Sequence, residues 1–340
     1  MNRVFWIDCA RFVAIILVLL THAHEQANVS NETVKSILYC IDRTGVPIFF
    51  MLSGGLILPK IHSMPVLTFY RKRIPQFFVL LIVYSVLTNT VSQWLNGSFS
   101  LSSFVSSVIN HNGIYPASYG FAAQMWFMYA IIQLYLIAPF LSRLLVNLKN
   151  SEILIFLAIC IIFNFLRHTM PALGADWRIL GRLGDEFTGS YISYFITGYL
   201  LMNRGCAEWR LMKSKLLNFN VFIIPVLAVV IIDFRAGKIL DNLHWYSSSL
   251  FIYISSVGAI LLIKNISDGK GNKLISTIGL YSFGIYLVHF IFVSVAIKIT
   301  KHFGMNWVWA TVSLFILSML FSVIYTHVMF KRKATRYFVS

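Results

Sequence analysis

Arg11 and His22 are the residues of this chain whose chemistry fits least with their surroundings. They bracket the apolar run of "ARFVAIILVLLTHAH", Ala10 to His24. Eleven residues at about 100° each make three turns plus roughly 20°, with a rise of about 16 Å. On a helix, the two side chains therefore share a face, about half a bilayer apart. Asp8 lies three residues before Arg11, within easy reach of an ion pair. Charged groups at membrane depth cost several kcal/mol unless they pair or face a wet cavity, and they default to a functional reading. A histidine at the outer end of such a helix can act as a general base, because it titrates near neutrality. His24 is the rival base, but it falls on a nearly opposite face from Arg11. The plain alternative is that Asp8 and Arg11 only neutralise each other while His22 edges a loop. Three polar groups on one face favour function.

The elements that position these residues follow from composition. Of 340 residues, 58% are hydrophobic and 12% charged, with a mean hydropathy of +0.75. A soluble domain of this size carries about a quarter charged residues. Long apolar runs recur throughout, so lipid is the main solvent. The four cysteines, Cys9, Cys40, Cys160 and Cys206, are scattered and suggest neither a disulfide framework nor a metal site. Asp8 and Arg11 interrupt the first apolar run and no convincing cleavage site follows, so the run is read as an uncleaved helix.

A spanning helix needs roughly 20 mostly apolar residues. Ten stretches qualify: 4–22, 41–59, 74–95, 121–141, 152–168, 189–203, 217–234, 247–263, 276–299 and 307–329. Lipid requires each segment to satisfy its own backbone, and no β-barrel alternation is visible, so the fold class is all-α and polytopic. With both termini inside, the cytoplasmic segments hold basic residues over the external ones by two to one. The net charge of +16 is thus largely a topology signal and gives no support to nucleic-acid binding. Residues 1–340 are expected to form one membrane domain without an appended soluble domain. Three external loops are expected, at about 23–40, 96–120 and 169–188. The last mixes Trp177, Arg178, Arg182, Asp185 and Glu186, side chains suited to a sugar-like ligand or to interfacial anchoring.

Several motifs, in order along most of the chain, resemble the acyltransferase-3 family of membrane O-acyltransferases. Arg11 and His22 match its Arg-X10-His motif, preceded by Asp8. "RTGVPIFFMLSGGLIL" (Arg43 to Leu58) resembles its second helix, and "FYRKRIP" (Phe69 to Pro75) the basic entry to its third. "QMWFMYAIIQLYLIAPFL", with Trp126, Tyr135 and Pro139, resembles its fourth. "YFITGYLL" and "YSFGIYLVHF" match later helices. The likeness is greatest to stand-alone bacterial members that O-acetylate surface polysaccharide, of the enterobacterial common antigen type.

The resemblance implies acetyl-CoA as cytoplasmic donor and a surface or lipid-linked glycan as acceptor, in a bacterial cytoplasmic membrane and without a metal. Arg71, Lys72 and Arg73 would hold the CoA phosphates, or serve only as a positive-inside signal. The spacing of "RKRIP" is compressed relative to the family pattern. Arg11 would orient the donor or polarise its carbonyl, and His22 would deprotonate the acceptor or be transiently acylated. Ser53 and Trp126 would line the tunnel, although Ser-Gly in a helix also permits close packing. Arg43 and His289 are supporting candidates, Arg43 at the outer end of the second helix and His289 in the ninth. A glycan exporter is the competing class, but no internal repeat of the transporter kind is visible. The acyl group, the acceptor hydroxyl and the oligomeric state stay open.

Overall fold

The computed structural model describes residues 4–109, 122–175, 178–182 and 189–340. In chain order the helices are α1 (Phe5–Ala27), α2 (Glu32–Asp42), α3 (Gly45–Ile61), α4 (Val66–Leu95), α5 (Leu101–Ile109), α6 (Trp126–Asn147), α7 (Asn150–Ile161) and α8 (Arg167–Ala172). They continue as α9 (Arg178–Arg182), α10 (Ser190–Asn203), α11 (Lys215–Ala236), α12 (Asp241–His244), α13 (Leu250–Ser267), α14 (Lys273–His302), α15 (Trp307–Lys331) and α16 (Lys333–Arg336). No strand occurs among the described residues.

Nine helical stretches in the described residues are long and apolar enough to cross a membrane. The tenth expected span appears as α10, which at 14 residues is too short for that criterion. One other expectation is corrected. The external loop expected at 23–40 is mostly helix, because α1 continues to Ala27 and α2 begins at Glu32. Asn31 makes this tight connection possible by capping α2, its side chain accepting from the Val34 N–H at 3.0 Å. The span expected at 152–168 is one of the nine, residues 150–172, and it is built from α7 and α8 joined through a π-helical turn, Ile162–Leu166. Asn164 in that turn donates to the Gly189 carbonyl at 3.2 Å.

The chain forms two compact units. The first comprises residues 1–21, 30–64 and 137–279. Its tightest contact is between α3 and α10. A Cβ on Gly54 would sit 1.9 Å from the Phe195 carbonyl oxygen, and one on Gly198 would sit 1.8 Å from that of Met51. Only glycine permits this backbone approach, the usual device for packing helices in lipid. Gly258 does the same for α13 against α11, with Ser255 donating to the Phe222 carbonyl at 3.1 Å.

The second unit comprises residues 22–29, 65–136 and 280–340. Along α4, Phe78, Val79, Ile82 and Val83 are exposed, whereas Leu80, Leu81, Tyr84, Ser85 and Thr88 are buried. The exposed apolar face is suited to lipid, and the buried face carries the hydroxyls that need protein partners. Tyr84 donates to the Phe338 carbonyl at 2.9 Å, and Gln76 donates to the carbonyls of Tyr337 and Ser340. The end of α1 packs through Ala23 on Ala296 and Leu314.

Candidate active site

His22 lies in the second unit, on the last turns of α1. Its ring packs against His289 of α14, with centroids 5.2 Å apart, and takes the edge of Phe290 at the same separation. His22 Nδ1 lies 3.4 Å from Glu25 Oε2, one turn onward. The His22 side chain is 20% exposed, so it is packed but accessible.

His289 is fully buried. Its Nδ1 lies 2.6 Å from the Tyr286 carbonyl oxygen. A carbonyl only accepts, so Nδ1 carries the hydrogen, and in the neutral ring Nε2 is a bare lone pair. Among the described residues that Nε2 has no hydrogen-bond partner. The Tyr286 hydroxyl donates to the Gln124 carbonyl at 2.7 Å, and the Gln124 side chain donates to Thr88 Oγ1 at 3.1 Å. Phe127 packs edge-on against Tyr286 at 5.1 Å, and Trp126 lies beside Phe127. Within the second unit, His22, His289 and Trp126 therefore belong to one connected cluster. Arg71, Lys72 and Arg73 are exposed near the start of α4. About 20 residues separate them from the polar end of that helix at Ser92, a rise of about 30 Å, the thickness of a bilayer core.

The family model for an acyltransferase domain matches residues 4–327. The chain belongs to the acyltransferase-3 family. It is a multi-pass membrane acyltransferase. No curated protein and no solved structure matches it.

In the first unit of this acyltransferase, Arg11 Nη1 lies 3.9 Å from Asp8 Oδ1. Asp8 is buried, and its carbonyl presses on Gly279, where a Cβ would be 2.3 Å away. Ser53 is half-buried, one residue before the Gly54 contact of α3 with α10. Arg43 is 7% exposed, its guanidinium held between the rings of Tyr39 at 4.0 Å and Trp245 at 4.2 Å. Trp177, Asp185 and Glu186 lie outside the described residues, as does the side chain of Arg178; Arg182 is exposed.

Sequence reasoning missed a second histidine cluster in the acyltransferase. His244 Nε2 lies 2.6 Å from Asp233 Oδ2, and His244 Nδ1 lies 3.5 Å from Cys40 Sγ. Ser36 donates to the same Asp233 oxygen at 2.7 Å, and the Leu240 N–H donates to the other at 3.0 Å. Burial holds His244 below its ordinary value of 6.5, against the opposing pull of Asp233. The atoms follow the order of a nucleophilic triad, yet Cys40 and His244 have no exposed surface. The signal was present in Asp233, an acid at the end of an apolar run. Glu25 was also missed, although its three-residue spacing from His22 is legible.

Proposed function

We propose that this acyltransferase moves acetyl from cytoplasmic acetyl-CoA to a hydroxyl of a cell-surface or lipid-linked glycan, in a bacterial cytoplasmic membrane. The observation that carries the reading is the His22 ring, with Glu25 3.4 Å from its Nδ1 and His289 packed against its face. His22 takes the acceptor's hydroxyl proton as its oxygen attacks the thioester carbonyl. A C–O bond forms, the C–S bond breaks, and the CoA thiolate leaves, taking up a proton. General-base assistance of this kind is worth about 10²- to 10⁴-fold. Arg11, three turns earlier on α1, is the donor-side cation. Arg71, Lys72 and Arg73 hold the nucleotide phosphates, and Ser53 and Trp126 are assigned to the donor path. The likeness of the motifs to polysaccharide O-acetylating members supports the glycan acceptor, and the basic cluster at the cytoplasmic end supports a CoA donor.

The test is transfer of label from acetyl-CoA into envelope glycan, with wild type and His22→Ala at equal membrane expression. Protein-dependent label that falls by about 10²-fold or more in His22→Ala supports the reading. Transfer that is absent in wild type, or unaffected by His22→Ala, overturns it.

A further inference from the structure

A pocket of about 360 Å³ opens in the second unit beside the candidate active site. That volume is in the range of small-ligand sites. Phe290 forms part of its wall and is also the residue whose ring meets His22, so the pocket adjoins the candidate base. Gln26, one turn beyond His22, lines it with Ser92 of α4 and Asn96, the residue that caps the end of α4, and Ser294 lies 3.4 Å from Ser92 between their hydroxyl oxygens. Amide and hydroxyl groups of this kind suit the hydroxyls of a sugar.

The far wall carries Lys298 and Lys301. Three residues apart on α14, they share a helix face, where like charges repel. Both are exposed, and among the described residues no acidic residue lines the pocket and neither lysine has an acidic partner. An anion is the ligand that reverses this repulsion. The lysines follow His289 by 9 and 12 residues, about 14 and 18 Å along the helix. An anion held there sits away from the reacting hydroxyl. With the N-terminus inside, this is also the external end of α14, the side on which basic residues are the scarcer.

We infer that this pocket is the acceptor site, and that the acceptor is anionic, with a carboxylate or phosphate on Lys298 and Lys301 and the acylated hydroxyl toward His22. The inference rests on the acyltransfer reading above and adds the acceptor's charge. The anion has two sources, an acidic sugar in the glycan or the phosphate of a lipid carrier.

The experiment uses membranes carrying wild type, Lys298→Gln with Lys301→Gln, or Lys298→Arg with Lys301→Arg at equal expression. They receive labelled acetyl-CoA and envelope glycans extracted from cells lacking the gene, separated by anion exchange into neutral and acidic fractions. Label is expected in the acidic fraction. The double glutamine variant is expected to raise KM for that fraction about tenfold, with kcat within about twofold, and the arginine variant to restore it. Mild acid that frees the label from the lipid phase as a neutral saccharide identifies carrier phosphate. Label that remains on a water-soluble anionic saccharide identifies a sugar carboxylate. Label in the neutral fraction, or an unchanged KM in the glutamine variant, overturns the inference and leaves the acyltransfer reading standing. No protein-dependent transfer from any fraction overturns that reading, and the inference falls with it.

Discussion

His244 and His289 are both wholly buried histidines, and their partners differ in one respect. Around His244 the hydrogen-bond accounting closes. Nε2–H faces Asp233, Nδ1 meets the Cys40 thiol, and the Asp233 oxygens accept from Ser36 and Leu240. Around His289 it does not close, since Nδ1–H meets a carbonyl while Nε2 has no partner among the described residues. Buried polar groups normally find partners, and one that does not costs free energy that packing elsewhere must offset. The closed set joins α2, α11 and α12 as architecture. The open set lies against His22, beside a polar pocket, where an unused acceptor can serve chemistry. A triad-like order of atoms is thus a poorer guide to reactivity than access and an unmet valence.

The largest effect that would break this comparison is on folding. His244→Ala removes the nearest hydrogen-bond donor of the buried Asp233 carboxylate, a change that destabilises by about 1–3 kcal/mol. Thermal unfolding in detergent is expected to show that loss, while transfer per folded molecule stays within about twofold. If transfer collapses in molecules that remain folded, the His244 set belongs to the chemistry.

His289→Ala is expected to do the reverse. It removes the ring on which His22 packs, and misplacing a catalytic group by about 1 Å can cost about 10²-fold. The transfer rate should fall by that order, and the melting temperature should change less than for His244→Ala. A large loss of stability with an unchanged rate would make His289 architectural.

The smallest effect is the pH dependence. His244 is held below 6.5 chiefly by burial, so as pH falls through 6.5 the unfolded chain takes up a proton that the folded chain resists. Stability therefore declines on acidification from about pH 6.5, until the folded ring also protonates. His244→Ala should flatten that part of the profile. An unchanged slope would assign it to other groups.

Much of the architecture is legible in the sequence, because lipid leaves helices as the solution for apolar runs of this length. What escaped was set by packing. "THAHEQA" reads as a polar loop, yet the helix continues through it because Ala23 packs on Ala296 and Leu314. The small residues that bring α3 and α10 together are visible as glycines, but which glycine meets which carbonyl depends on residues about 150 positions apart. The alignment of Arg11 with His22 along one helix follows from periodicity alone. The partnership of His22 with His289 does not, since it joins helices separated by most of the chain, and the same is true of Cys40 with His244.

The central claim is that acyl transfer runs through His22 and His289, and that His244 only holds the fold. Its most direct test is the single-turnover rate of acetyl transfer from labelled acetyl-CoA to envelope glycan, per folded molecule, for His22→Ala, His289→Ala and His244→Ala. The account predicts a loss of about 10²-fold or more for the first two and a near wild-type rate for the third. Wild-type rates in the first two, or a comparable loss in the third, would contradict it.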